Sequence, residues 1–325
     1  MKHSCTALSV LLAATLVTHA EARELRLGHA STESNPRHDA ALYFAKRVEE
    51  LSDGELTVSV NGNAQLGDDV EMMTGLRLGT IDLSISSQGA LASVVEESTL
   101  IGLPFLFEDS QAAWTVLDGD VGETLSQKAS DNGIVVLGFW DNGIRLITNS
   151  VRPVVEPQDL AGLKIRIPQD PMASDIFSAL GANPVPIPFA ETYVALQQGV
   201  ADGQENPAVN IHSQKFHEVQ DYLSLSHHKY EFLPLLASQV TWGSLTEAQQ
   251  QVLRQAGRES TDFQRNDAYQ ANQDRLIEIE ASGTEISEVN TEAFQAAVAP
   301  VYDKWRKEYP EFVSQLSAAA KQASE

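Results

Sequence analysis

The chain has 325 residues, with 22 Lys and Arg against 45 Asp and Glu, a formal net charge of −23. That balance excludes nucleic acid and anionic membrane surfaces as natural partners. The length and the 42% hydrophobic content fit a globular chain of about two domains.

The N-terminus reads as an export signal. Met1-Lys2-His3 gives a basic start, Ala7–Thr18 an apolar run, and Ala20-Glu21-Ala22 a small-residue cleavage site. We therefore expect residues 1–22 to be a cleaved signal peptide and the mature protein to be soluble in the periplasm. The single cysteine, Cys5, lies ahead of the apolar run within this leader. A mature chain without cysteine has no disulfide, no thiolate metal site and no cysteine nucleophile.

From Leu25 onward short strands alternate with helices. Leu25–Gly28 reads as a strand. Arg37–Leu51 reads as a helix, because Ala41, Phe44, Ala45, Val48 and Leu51 recur at helical spacing. Leu56–Val60 is a strand, Asp68–Leu78 a helix ended by Gly79, and Ile81–Ile85 a strand. Ile134–Trp140 and Ile144–Thr148 are two more strands. The opening pattern then returns: Leu163–Ile167 as a strand, Met172–Leu180 as a helix, Pro184–Ile187 extended, Ala190–Gln198 as a helix ended by Gly199, and an extended piece from Ala201. Both second helices close on L-x-x-G-x-x-D, in Leu76-Gly79-Asp82 and Leu196-Gly199-Asp202. A β-α-β-α-β unit met twice predicts two α/β lobes of one plan, with ligands bound beyond the carboxyl ends of their strands. Thr246–Ala281, with no proline and one glycine, predicts a helix long enough to reach both lobes. Thr291–Tyr309 is a last helix, followed by Pro310 and a small, polar tail.

The sequence contains no G-x-S-x-G, H-E-x-x-H, P-loop or G-x-G-x-x-G. His212, His217, His227 and His228 lack the spacing and partners of a zinc site. We expect no metal, no cofactor and no catalysis. Cations are scarce and so more informative. Arg145 lies in the strand-like run GIRLIT and Arg166 in LKIRIP, where flanking isoleucines face a core. A guanidinium fork there fits a carboxylate bidentately. An internal ion pair explains either arginine equally well, and spacing does not choose. Asn206, before Pro207, reads as an amide donor or a turn residue. Phe189 reads as a pocket wall or as a staple for the next helix.

LKIRIP, the stretch LGANPVPIPFAETYVALQQGVADGQENP (Leu180–Pro207) and FHEVQDYLSLSHH resemble the extracytoplasmic solute-binding subunits of TRAP transporters, the DctP-like family. QLGDDVEMMTGLRLGTIDLSI and GLPFLF in the first lobe are similar to the same family. The resemblance implies a fold like the type II periplasmic binding proteins: two α/β lobes around a cleft, with a long lobe-spanning helix. It implies Arg166 as the carboxylate clamp, Arg145 as a second arginine, Asn206 as a ligand-binding asparagine and Phe189 as a pocket wall. Gln169, Ser87 and His29 match further pocket positions. Members that take sialic acid carry a glutamate where Ser87 aligns, and this chain departs from them. The stretch DNGIRLITNSVRPV followed by RIPQDP looks more like members that take hexuronates and related sugar acids, although C4-dicarboxylate members share most of the motif.

The expected organisation is lobe I from 23–144 plus 233–273 and lobe II from 145–232 plus 274–325. The expected function is capture of an organic acid anion, a sugar acid such as a hexuronate, for the small and large TRAP membrane subunits. A C4-dicarboxylate ligand, and a secreted enzyme acting on sugar acids, are the alternatives. We expect a monomer with no nucleic-acid partner.

Overall fold

Leu25 and Leu27 are fully buried while Glu24 and Arg26 face outward, so the first strand, β1 (Arg23–His29), has one core face. The computed structural model describes residues 22–324. From β1 the chain runs through α1 (Pro36–Leu51), β2 (Leu56–Asn61), α2 (Asp69–Leu78), β3 (Leu83–Ile85), α3 (Gln88–Ala92), α4 (Ser110–Leu117), α5 (Asp120–Asp131) and β4 (Ile134–Ile144). It then builds β5 (Leu146–Asn149), β6 (Lys164–Ile167), α6 (Pro171–Ala179), β7 (Asn183–Pro186), α7 (Thr192–Gln197), β8 (Gly203–Asn206), α8 (Ala208–Ser213) and β9 (Tyr222–Leu225). The remainder is β10 (Tyr230–Ser238), α9 (Gln239–Gly243), α10 (Glu247–Ala281), β11 (Glu285–Glu288), α11 (Thr291–Glu308) and α12 (Pro310–Ala323).

The strands form two sheets, ordered β2-β1-β3-β10-β4 and β11-β9-β5-β8-β6-β7. Within them, β2-β1-β3 and β7-β6-β8 are parallel triplets of the same connectivity. The repeated L-x-x-G-x-x-D does the same work in each. Gly79 and Gly199 both take a left-handed conformation, with φ of 72° and 69°, to stop their helices. Asp82 then accepts from the backbone N–H of Arg26 in β1 at 2.9 Å, and Asp202 from that of Lys164 in β6 at 2.8 Å. Helix end and neighbouring strand are tied by the same bond in both copies, as duplication of one unit requires.

The lobes are joined at a pair of crossing strands. Only Arg145 separates β4 in the first sheet from β5 in the second. The return, from β9 to β10, passes through residues 226–229, and the Arg145 N–H donates to the Lys229 carbonyl at 2.9 Å. Helix α10 begins with a Thr246–Gln249 capping box and, at 35 residues, extends roughly 50 Å. It packs on α1 and β4 of the first lobe and on α8 of the second. The seat on β4 is close: a Cβ on Gly257 would lie 2.6 Å from the Leu137 carbonyl oxygen. Apolar packing fixes each lobe, with Phe44 and Trp140 in the first and Phe177 and Phe216 in the second fully buried. Each such side chain contributes roughly 1.5–3 kcal/mol through burial. Among the described residues no helix is long and apolar enough to cross a membrane. The expected signal peptide, apart from its last residue, lies outside the described residues.

Two elements differ from the sequence reading. Residues 310–323, expected as a polar tail, form α12. Pro310 occupies its first turn, where a missing N–H costs nothing. Phe312, Val313, Leu316 and Ala320 bury one face against α4 and α5 of the first lobe, so this part of the 274–325 segment does not pack as a piece of lobe II. Tyr230–Phe232 are strand residues of the first sheet, three residues ahead of the expected boundary at 233.

Candidate ligand-binding site

Strand β6 alternates as its sequence requires. Ile165 and Ile167 are buried in the core, and Arg166 turns to the opposite face, toward the first lobe. Its side chain is 1% exposed. Nε and Nη2 donate to the Ile187 carbonyl at 2.9 and 2.7 Å, and the guanidinium carbon lies 5.9 Å from the centre of the Phe189 ring. Among the described residues no carboxylate stands within 4 Å of it. Burial pulls its pKa down to about 10, against the opposing charge of Glu205. A buried cation held only by a carbonyl and a ring face retains its affinity for an anion.

Arg166 faces a small cavity between the lobes. Lobe two supplies Gln169, Ile187 and Phe189 beside it, and lobe one supplies Asp69 and Ser87. Asp68 and Ser87 sit at helix N-termini: Asp68 caps α2 through a capping box with Glu71, and Ser87 caps α3. The cavity measures about 20 Å³, room for about one water molecule, so admission of a larger solute requires the lobes to part. Their contact is close at the cavity's edge. A Cβ on Gly89 of α3 would lie 2.6 Å from the Gln169 carbonyl oxygen. Asp170, next to Gln169, is held by the Thr99 hydroxyl of lobe one at 2.7 Å and by Lys229.

Arg145 has a different environment. It is also 1% exposed, but its Nε and Nη2 grip the Glu205 carboxylate, its Nη1 pairs with Glu231, and Nη2 also donates to the Glu205 carbonyl. Four of its five N–H donors are thereby committed to protein oxygens at the lobe junction. Burial disfavours the Glu205 carboxylate, yet Arg145 prevails and holds its pKa down at about 2. Asn206 belongs to an adjoining amide chain. It donates to Gln204 at 2.6 Å and accepts from Asn210 at 3.1 Å, and Asn210 in turn donates to Asn142 at 3.0 Å. His29 is buried at the end of β1, with Nε2 3.0 Å from Nδ1 of His38. Burial, then Arg37 and His38, push its pKa down to about 3, so it is neutral at physiological pH.

The structure thus brings Arg166, Gln169, Phe189 and Ser87 together around one cavity. Arg145 and Asn206 lie in the hinge network, and His29 lies beside Arg37 in lobe one. The sequence reading missed Asp69, placed there only within the helix Asp68–Leu78, and Arg37, placed only at the start of the helix Arg37–Leu51. An arginine in the first turn of α1 opposes the helix dipole, and that mismatch was the available signal.

The cleft and hinge can be set beside known proteins. Residues 27–308 match the family model of the bacterial extracellular solute-binding protein, family 7, DctP. The 2,3-diketo-L-gulonate-binding periplasmic protein YiaO of Escherichia coli is 36% identical over 309 residues, covering 94% of each chain. The uncharacterized protein y4mM of Sinorhizobium fredii is 44% identical over 283 residues, but this chain spans only 52% of its length. The sugar acid binding protein DctPAm of Advenella mimigardefordensis, solved with galactonate, superposes with a TM-score of 0.91 at 36% identity, covering 93% of this chain and 99% of that one. With both its sequence and its two-lobed fold in agreement, the chain belongs to the DctP family of TRAP solute-binding proteins.

Proposed function

We propose that this chain is the periplasmic receptor of a TRAP transporter, that it captures a sugar acid between its lobes, and that Arg166 is the clamp for the carboxylate. One observation carries the reading: a fully buried guanidinium, facing an inter-lobe cavity, without a carboxylate partner among the described residues. In a molecule of net charge −23, such a cation is conspicuous. Relatives whose ligands are a diketogulonate and a galactonate support the ligand class. The opened lobes admit the anion, Arg166 takes its acid group, Phe189 covers an apolar face, and closure excludes water and strengthens the charge-assisted bonds. Micromolar affinity needs about −8 kcal/mol, within reach of one such pair with several hydrogen bonds. The closed form is then delivered to the small and large membrane subunits. Residues 1–22 direct export and are removed. The chain performs no chemistry on its ligand.

The test is a thermal-shift and calorimetric screen of galactonate, glucuronate and galacturonate on the purified mature chain. A ligand at 100 times its dissociation constant stabilises the protein by about 2.7 kcal/mol. We expect that shift for at least one sugar acid, its loss in Arg166→Ala, and recovery of the unchanged acid after incubation. An Arg166→Ala protein that keeps the full shift refutes the clamp.

A further inference from the structure

A second group of polar residues meets the cleft from lobe one. Building on the capture reading above, we propose that Arg37, Asp69 and Glu231 form a hydroxyl-reading subsite that makes the site select polyhydroxylated monocarboxylates over dicarboxylates. Arg37 is 4% exposed, and among the described residues its guanidinium has neither an ion pair nor a hydrogen bond; Nε is buried without a partner. Three residues close enough to interact with Arg37 each leave a buried atom equally unpartnered, His29 Nδ1, Asp69 Oδ1 and Glu231 Oε1, and so does Ser31 Oγ, two residues beyond His29 in the chain. Unsatisfied buried polar atoms are costly, and several in one place mark a site completed by something else. Their placement agrees. His29 ends β1 and Ser31 follows it, Arg37 and Asp69 open α1 and α2, and Glu231 lies in β10. Most of this set therefore sits at the carboxyl edge of the parallel strands, where α/β sheets bind ligands, and Asp69 lines the same cavity as Arg166. Burial works against the charged form of both Arg37 and Asp69, and each partly offsets this for the other.

The chemistry of the set identifies the occupant. Arg37 only donates, the free carboxyl oxygens of Asp69 and Glu231 are placed to accept, and Ser31 does both. Hydroxyl groups, which donate and accept together, can satisfy all of them along one carbon chain. A second carboxylate would suit Arg37 alone. It would stand against two protein carboxylates and leave their lone pairs unfilled. Sites built to bond a substrate hydroxyl reject an analogue lacking it by as much as about 10⁴-fold.

Calorimetry on the purified mature chain with galactonate, glycolate and succinate tests this. Glycolate reaches Arg166 but has no polyol tail. We expect galactonate to bind at least about 100-fold more tightly than succinate. Arg37→Met should weaken galactonate about 10- to 100-fold while changing glycolate less than about twofold. Asp69→Asn keeps the side-chain shape but removes the charge, and should narrow the galactonate-to-succinate ratio about tenfold; it decides the matter if Arg37→Met does not fold. Wild-type protein that binds succinate as tightly as galactonate, or Asp69→Asn protein that preserves the ratio, overturns the subsite while leaving the clamp intact. Undiminished galactonate binding by Arg166→Ala overturns the clamp reading instead.

Discussion

Arg145, between β4 and β5, and Arg166, in β6, are buried to the same 1%, and both stand in short runs flanked by isoleucine or leucine, so that the sequence alone does not tell them apart. Their surroundings differ completely. Arg145 stands between Glu205 and Glu231 at the junction of β4 and β5, whereas Arg166 has a carbonyl and a phenyl ring. The first is a strut of the hinge, and the second is a cation in reserve. Burial alone therefore does not separate the two arginines; the count of anionic partners already in place does.

Exchange of each arginine for methionine separates the two roles most widely. Arg145→Met leaves two buried carboxylates without their cation, a change that costs about 3–5 kcal/mol. Urea unfolding should show that loss. Arg166→Met removes an uncompensated buried charge and should leave stability unchanged or raised, while abolishing acid binding. Equal destabilisation by the two substitutions would erase the distinction.

The hinge cluster also sets an acid limit. Glu205 has a pKa of about 2 in the folded chain against 4.5 for an unperturbed glutamate. Its contribution is complete above pH 4.5 and is lost as pH falls from there toward 2, at most about 3 kcal/mol. Unfolding free energy measured across that window should fall steeply for the wild type. In Glu205→Gln the fall should be shallower, because that variant has no proton to take up there. Parallel profiles would show that Arg145 does not hold Glu205 ionised.

The hinge and the cleft also differ in how far the sequence disclosed them. The duplicated lobe was legible because its signals are local: a glycine stop and an aspartate three residues later. The position of Arg166 was legible because strand alternation sends it opposite Ile165 and Ile167. The partners of Arg145 were not, since Glu205 and Glu231 lie 60 and 86 residues away, and an acidic chain offers too many candidates. Arg37 and Asp69 were hidden for the same reason: the lack of an ion pair at Arg37 and the unpartnered Oδ1 of Asp69 are facts of tertiary packing, invisible in spacing. Helix α12 was missed because Pro310 read as an end when it is a beginning.

The smallest effect belongs to the rim, where the lobes touch through neutral groups. The Asn35 amide of lobe one donates to Asn210 and to Ser213 of lobe two, both at 2.9 Å, and the Thr32 hydroxyl reaches the Ser213 carbonyl at 3.4 Å. These bonds exist only when the lobes are together, so they bias the hinge toward closure whatever the cleft contains. Ser213→Ala removes one of them without touching the cavity or the α1 cap. At about 0.5–1.5 kcal/mol for a hydrogen bond, the closed fraction should fall by a factor of roughly 2 to 13 relative to the open one. Small-angle scattering of the ligand-free variant should then show a larger radius of gyration than the wild type, and ligand affinity should weaken by no more than the same factor. An unchanged radius with unchanged affinity would mean that Asn35 and Asn210 alone hold the rim, and that lobe closure is governed at the hinge and the cleft.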